Sequence, residues 1–345
     1  MSASREQLLA WIERGEPFAI ATVTAVEGSA PRAPGSTLLV SASGERFVGS
    51  VSAGCLDNDV VAAATEVLKS KQHRVLHFGP DGVPPWQDGL SCGGNVEVRV
   101  DPWFAFMPAF EMKELAEHVR SWLNTNTHAA ILSRGDEHFG FDLAGKFAGR
   151  RKAFTDAEIQ RARALLESEG RSTLEKSTEP FFIRTMVRPP LLVLVGAVDT
   201  AAHLVGLAQN SGFSCVVIDP RKHYASAERF PVAPRQLINA WPHDLSAFGL
   251  SRRDAALVLT HDPKIDDPAL LALLKTQVGY IGALGSQRSH AARVERLKSH
   301  GVTDSELKRI EGPAGLRLGA SSAAGIALGM LAGVVRALAK VNAQS

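Results

Sequence analysis

Cysteine is scarce in this chain, with three in 345 residues. That is too few for a disulfide scaffold and suits a reducing compartment, so a cytoplasmic location is expected. No CxxC pair occurs, and His73 and His77 have no ligand partners nearby in the sequence, which disfavours zinc. An excess of one charge is also missing. With 38 basic and 36 acidic residues the net charge is +2, which lacks the dominant basic field of a nucleic-acid binder. There is no internal repeat and no low-complexity tract. MSASREQLLAWIERGE, at the start, carries charges throughout and is expected to form a short amphipathic helix rather than a signal peptide.

Long apolar runs are nearly absent too. From Leu318 to Val335 the chain has 18 uncharged residues, in which Gly325, Gly329 and Gly333 form overlapping GxxxG spacings. Ala, Gly and Ser dominate this stretch and gain little from hydrocarbon. A buried helix lying close against a sheet needs the same small residues, so no membrane span is expected.

What is present is globular material: 45% hydrophobic and 21% charged residues, in a length that favours two domains. The C-terminal half follows a βαβ rhythm. LLVLVGAV (191–198) is a continuous apolar run opening into glycine, as expected of a strand buried on both faces. A helix follows, and then SCVVIDPR as a second strand. QLINA (236–240), AALVLTHD (255–262) and VGYIGALGS (278–286) read as further strands, with helices at 267–276 and 287–299. Such alternation predicts a Rossmann-like, doubly wound parallel sheet. In the N-terminal half, FAIATVTAVEG, STLLVSA, HRVLHF and NVEVRV read as strands, and CLDNDVVAAATEVLKS as a helix. A helix at 109–124, a hairpin near Gly140 and a helix at 155–169 lead to a boundary near Arg188-Pro189-Pro190. The expected division is therefore α/β throughout: an N-terminal α/β domain at 1–188, with a hairpin and helical connector from about 125, and a Rossmann-like domain at 189–345.

Gly196 follows a buried strand, and Asp219 ends the next one. This is how a Rossmann unit sets pyrophosphate on a helix N-terminus and ribose hydroxyls on a carboxylate. The fingerprint is altered, because Gly-x-Gly-x-x-Gly reads Gly196-Ala197-Val198-Asp199-Thr200-Ala201. Val198 replaces the glycine that admits phosphate, and Asp199 adds negative charge there. Gly196 and Asp219 then remain as the vestige of a dinucleotide site, and NAD(P) is a doubtful ligand.

The cysteines divide by context. Cys215 lies in an apolar strand and reads as core. GSVSAGCLDNDVV leads from a strand through small residues into a helix starting near Cys55, whose N-terminal field favours thiolate. Gly54 lets a ligand approach. Asp57 and Asp59 oppose the thiolate while suiting a first helical turn. In GLSCGGNVEV, Cys92 stands before Gly93 and Gly94, which give it no packing. A Cys55–Cys92 disulfide is an alternative that depends on their separation in space. GSAPRAPGSTLLV (28–40) is a loop stiffened by proline with Arg32 at its centre, a planar cation suited to phosphate or carboxylate.

These three segments resemble the XdhC/CoxI family, maturation factors of molybdenum hydroxylases such as xanthine dehydrogenase. VGAVDTAAHL, VVIDPR, LVLTHD, YIGALGSQRS and GPAGLRLGASSAAGIALGMLAG resemble that family's Rossmann domain, so the likeness covers nearly the whole chain. It implies a cytoplasmic chaperone that binds the molybdenum cofactor (molybdopterin), supports exchange of an oxo for a sulfido ligand, and delivers it to an apo-molybdenum hydroxylase. A cysteine desulfurase is the implied sulfur donor, and a homodimer is left open. The resemblance makes the chain a carrier more than a catalyst: no catalytic residue and no resident metal are assigned. Cofactor contacts fall to Cys55, Cys92, Arg32, Gly54, Gly93 and Gly94.

Three departures stand out. The family's Gly-Gly-Cys-(Leu/Val)-Glu is Ala53-Gly54-Cys55-Leu56-Asp57 here, and Gly-Ala-Gly-His is Gly196-Ala197-Val198-Asp199. Thr-Pro-Glu-Glu-Ile-Ala has become Ser321-Ser322-Ala323-Ala324-Gly325-Ile326-Ala327, without its carboxylates. Two alternatives follow: an NAD(P)-dependent oxidoreductase, for which His261 at a strand end is the candidate residue, and a protein that tethers its client without touching cofactor. Enzymes oxidising xanthine, aldehydes or carbon monoxide are all open as the client.

Overall fold

Successive side chains of each strand point to opposite faces, and this alternation sets up the layers. The computed structural model describes residues 2–79, 94–107, 109–125, 127–168, 170 and 172–343. The chain divides into two compact units, Met1–Arg188 and Pro189–Ser345.

The first unit runs α1 (Ser2–Arg14), β1 (Phe18–Glu27), β2 (Thr37–Ser41), β3 (Phe47–Gly49), α2 (Asp57–Ser70), β4 (Arg74–Phe78) and β5 (Asn95–Pro102). It continues with α3 (Phe110–Thr125), β6 (Ala129–Arg134), β7 (Glu137–Asp142), β8 (Phe147–Gly149), α4 (Asp156–Glu167), β9 (Thr173–Glu175) and β10 (Phe181–Met186). These strands form two five-stranded sheets, ordered β3-β2-β1-β5-β4 and β8-β7-β6-β10-β9. From β1, Ala19, Ala21 and Val23 face the α2 side, while Phe18 and Ile20 enter an aromatic core with Trp11, Trp103 and Trp122. Ile131 of β6 joins that same core, and its neighbour Leu132 faces the α4 side. The period-two alternation of strands thus sandwiches the aromatic core between two sheets.

The second sheet lies where the sequence suggested only a hairpin and a helical connector. The hairpin turn sits at Gly135-Asp136, between β6 and β7, rather than near Gly140. Gly140 is mid-strand, and a side chain there would strike Leu115 at 2.7 Å and Trp122 at 3.1 Å. A glycine set by a helix packed across it therefore looked, in sequence, like a turn. Helix α4 is closed by a capping box, in which Thr155 and Glu158 satisfy each other's backbone N–H.

A buried polar cluster links the two sheets of this unit. Arg99 donates to both oxygens of Asp101, at 2.8–3.0 Å, and to the Gly135 carbonyl on the second sheet's hairpin. Fully buried His138 shares a 2.9 Å hydrogen bond with Ser133, and its Nε2 lies 3.9 Å from Asp101. Burial pushes the Asp101 carboxyl up, but Arg99, His138 and Arg184 together outweigh it and hold the group below the usual range.

The second unit comprises β11 (Leu191–Val195), α5 (Asp199–Asn210), β12 (Ser214–Ile218), β13 (Gln236–Ile238), β14 (Ala255–Val258) and α6 (Pro263–Leu274). β15 (Tyr280–Ala283), α7 (Gln287–Ser299), α8 (Asp304–Leu307), β16 (Ile310–Glu311) and α9 (Ala323–Ala343) complete it. All neighbouring strands pair in parallel, in the order β13-β12-β11-β14-β15-β16. This is the doubly wound Rossmann arrangement that the alternation predicted. Leu191, Val193 and Val195 pack on the α6 face, and Leu192 and Leu194 on the α5/α9 face, so the strand is apolar at every position.

The glycine stripe of α9 has a local cause. A Cβ on Gly333 would lie 2.6 Å from Gly315 Cα, one on Gly329 2.6 Å from the Leu316 carbonyl, and one on Gly325 2.4 Å from Ala320. Leu316 also donates its N–H to the Gly329 carbonyl at 2.9 Å. The small residues therefore admit the segment 315–320, whereas the sheet side of α9 carries Ala327, Met330, Val334 and Leu338. Among the described residues no helix is long and apolar enough to cross a membrane.

Candidate functional site

One end of the first sheet collects the glycine-rich turns. β1 ends at Glu27 opposite Asn95, which starts β5, and β4 ends at Phe78 opposite Val96. β2 begins at Thr37, whose carbonyl accepts the Ser50 N–H beyond β3 at 3.1 Å. The loops 28–36 and 50–56 and both anchors of the β4–β5 connection consequently lie at this end. Arg32 is exposed on the first loop, and Gly54 and Cys55 are exposed on the second. Gly94 abuts the first loop directly: a Cβ there would sit 2.2 Å from the Ser29 carbonyl oxygen. Cys92 and Gly93 lie outside the described residues.

The cysteine loop is built by three of its own side chains. Ser50 Oγ accepts the N–H groups of Ser52 and Ala53, at 3.2 and 2.6 Å. Ser52 Oγ accepts the Leu56 N–H at 2.7 Å and donates to Asp57 Oδ1 at 3.0 Å, which also accepts the Val51 N–H at 3.1 Å. Ala53 and Gly54 adopt left-handed backbone, with φ of 60° and 115°. Open space surrounds Gly54, so its conformation rather than crowding calls for glycine. The N–H groups of Gly54 and Cys55 have no acceptor among the described residues.

The helix start falls where the sequence placed it, and the role of Asp57 changes. α2 begins at Asp57, near Cys55 as expected, and Cys55 directly precedes the helix cap Leu56. Asp57 is buried and turned back to clamp the loop, so it serves the thiol's position. The local signal was a serine shortly before a helix start, a residue type that bonds nearby backbone N–H groups, as Ser52 does with Leu56. Among the described residues, Arg32 and Cys55 make no hydrogen bond or ion pair, and no cluster of three or more His, Cys, Asp or Glu residues is placed to hold a metal ion.

The other sequence candidates belong to the second unit. Gly196 (φ 110°) packs on the end of β14, where a Cβ would meet Thr260 at 2.6 Å. Its N–H donates to the Ile218 carbonyl at 2.8 Å, and the next N–H, of Ala197, donates to Asp219 Oδ2 at 2.8 Å. Asp219 also takes Arg221 Nε at 2.9 Å and Nη2 at 2.7 Å. Burial pushes this carboxyl up, but Arg221 and the two backbone N–H donors outweigh it and hold it below the usual range. Asp199 is exposed and pairs with Arg229 at 2.7 Å. Cys215 is fully buried in β12, and burial pushes its thiol up to about 12. His261 is exposed at the end of β14 with φ of 63°.

Known proteins share this chain's pattern. Residues 192–334 match the XdhC Rossmann domain, and residues 11–79 match the XdhC and CoxI family. The chain is 29% identical over 337 residues to a protein of Bacillus subtilis (strain 168) named as a probable subunit of xanthine dehydrogenase, with 96% of each covered. It is 24% identical over 320 residues to the molybdenum cofactor insertion chaperone PaoD of Escherichia coli (strain K12), covering 93% of this chain and 83% of that protein. A crystal structure described as a xanthine dehydrogenase from Bacillus halodurans shares the fold. Its TM-score is 0.78 at 24% identity, over 98% of this chain and 96% of that one.

Proposed function

Because the chain belongs to the XdhC and CoxI family, we propose that it is an accessory protein of a molybdenum hydroxylase of the xanthine dehydrogenase type. In this reading it binds the molybdenum cofactor as cargo, supports its sulfuration with sulfur from a cysteine desulfurase, and delivers it to the apoenzyme. The observation that carries the reading is the gathering of Arg32, Gly54, Cys55 and Gly94 at one end of the first sheet, with the thiol and the guanidinium exposed. The relative in Escherichia coli, a molybdenum cofactor insertion chaperone, supports it.

The residues fit such a cargo. Molybdenum with dithiolene sulfur is a soft centre that a thiolate suits, and a pterin phosphate suits an arginine and backbone N–H donors. Cys55 and Arg32 offer the first two, and the N–H groups of Gly54 and Cys55 the third. The clamp of Ser50, Ser52 and Asp57 holds the loop ready without occupying these groups. The exposed site is suited to release as well as capture, which delivery demands. Cys92 and Gly93 complete the proposed contacts from the β4–β5 connection.

An NAD(P)-dependent oxidoreductase is disfavoured by the first βα turn of the second unit. Its Gly196 N–H is spent on the Ile218 carbonyl and its Ala197 N–H on Asp219, a carboxylate that Arg221 also holds. The test is to purify the chain with its client co-expressed and to measure molybdenum and the fluorescence of oxidised pterin. Both are expected in the wild type and strongly reduced in the Cys55→Ala/Cys92→Ala double variant. Unchanged co-purification would defeat the proposed site, and a client complex free of pterin would favour tethering instead. Micromolar NAD(H) or NADP(H) binding by calorimetry would restore the oxidoreductase reading.

A further inference from the structure

The two βα turns of the second unit that are free of a capping carboxylate differ in what their backbone donors do. In the turn after β11, Gly196 and Ala197 spend their N–H groups on Ile218 and on Asp219. In the turn after β15, the N–H groups of Gly285, Ser286, Gln287 and Arg288 have no acceptor among the described residues. This second turn opens α7, a helix of 13 residues, and Ser286 through Ser289 are exposed to solvent. Ser286 caps the helix by accepting the Ser289 N–H at 3.1 Å. A helix start carrying free donors and the positive end of the helix dipole favours an anion.

An independent feature lies beneath the same turn. The Arg293 side chain is 3% exposed, and its Nη2 donates to the Leu284 carbonyl at 2.9 Å, on the residue just before Gly285. Its Nε and Nη1 are buried without a hydrogen-bond partner. Asp266 Oδ2 forms a buried ion pair with Nη2 at 3.6 Å, which leaves Nε and Nη1 as the unpaired donors. The guanidinium is therefore held against the base of the turn with donors to spare. His261 borders it from the neighbouring strand end, with Cε1 3.8 Å from where a Cβ of Gly285 would stand. Both strand ends are carboxyl ends of a doubly wound sheet, the edge on which such sheets place ligands.

We propose that the β15–α7 turn is a phosphate-binding site, used in place of the first βα turn, for a small ligand bearing a phosphate or diphosphate. The backbone donors of 285–288 hold the phosphate oxygens, and buried Arg293 supplies fixed positive charge below them. In the first turn the Gly196 and Ala197 N–H groups are taken by Ile218 and Asp219, and Asp199 adds a carboxylate at the helix start that opposes an anion. This site belongs to the second unit and does not depend on cofactor binding at the cysteine loop. The phosphate can come from a nucleotide or from a pterin.

The test titrates the full chain with inorganic pyrophosphate and with ADP by calorimetry, neither of which reports on cofactor loading. Ser286→Asp keeps a favourable helix cap while placing a carboxylate in the turn. It is expected to weaken pyrophosphate binding by about tenfold or more through charge repulsion. Asp199→Asn, in the first turn, is expected to leave binding unchanged. ADP binding tighter than pyrophosphate, and equally sensitive to Ser286→Asp, points to a nucleotide; ADP binding no tighter points to a phosphate monoester such as that of a pterin. No pyrophosphate binding at millimolar concentration, or binding indifferent to Ser286→Asp, overturns the proposal. So does binding that tightens in Asp199→Asn, since it would place the anion at the first turn.

Discussion

The Ala197 N–H donates to Asp219 Oδ2 at 2.8 Å, across the gap between the first two strands of the second unit. The contact joins the two positions that a dinucleotide site keeps apart for pyrophosphate and ribose. With Arg221 holding the same carboxylate from the other side at 2.7 and 2.9 Å, a ligand subsite has become an internal brace.

Removing that brace has a measurable cost. Asp219→Ala leaves the Ala197 donor buried and Arg221 unpaired, and is expected to destabilise the fold by about 2 kcal/mol, since Arg221 can turn partly to water. Asp219 is held below its ordinary range, so the unfolded chain binds more protons. The stabilisation is present above the unfolded carboxyl value of about 3.9 and is lost as pH falls through the lower folded value. Urea unfolding of wild type and variant at pH 7 and near pH 3 checks both statements, the difference shrinking at the lower pH.

His138 offers a second pH window. Burial, against the attraction of Asp101, brings its pKa from 6.5 down to about 4. The unfolded imidazole takes up a proton first. The neutral folded form therefore contributes stability that is fully present above the unfolded value, declines as pH falls from there, and is gone below about 4. The size is on the order of 3 kcal/mol. An NMR titration in which the His138 ring protonates near pH 6.5 in the folded protein would falsify this assignment.

The cysteines are expected to separate by reactivity. In a Cys92→Ala background, exposed Cys55 reacts with a small alkylating reagent in the native protein, and buried Cys215 reacts only after denaturation. Mass spectrometry of the labelled peptides reads this directly. Native labelling of Cys215 at the rate of Cys55 contradicts the burial of β12.

Two glycines at the cysteine end should respond differently to alanine. Gly94→Ala drives a methyl to 2.2 Å from the Ser29 carbonyl and must displace the Arg32 loop, with an expected loss of about 2 kcal/mol. Gly54→Ala meets open space and carries only backbone strain, about 1 kcal/mol. Thermal unfolding of both variants compares them, and a Gly94→Ala protein as stable as Gly54→Ala speaks against the close approach.

Much of this organisation is legible in the chain. The second unit's strands were visible because β11 is apolar at every position, the mark of burial on both faces, and glycine and aspartate close its turns. The second sheet of the first unit was not, because β8 and β9 have three residues each and too short a period to stand out. Cys55 and Arg32 stood out by their glycine-rich neighbours, while Arg293 did not. In sequence it is one more basic residue of α7, and only its side chain's path to the Leu284 carbonyl marks it.

What the sequence alone determined are properties carried by neighbours along the chain: periodicity, turn residues, the split of thiols into one apolar and two beside glycine, and the family likeness built on those segments. Tertiary structure alone decided which distant groups meet. Gly94 lies on Ser29, and Asp57 turns inward to the Ser52 loop. Asp219 closes the turn that its own motif would have left open, and α9 spends its glycines on the segment 315–320 rather than on the sheet. Contacts of this kind depend on side-chain direction and on distances across the fold, and residue order constrains these only after the layers have packed.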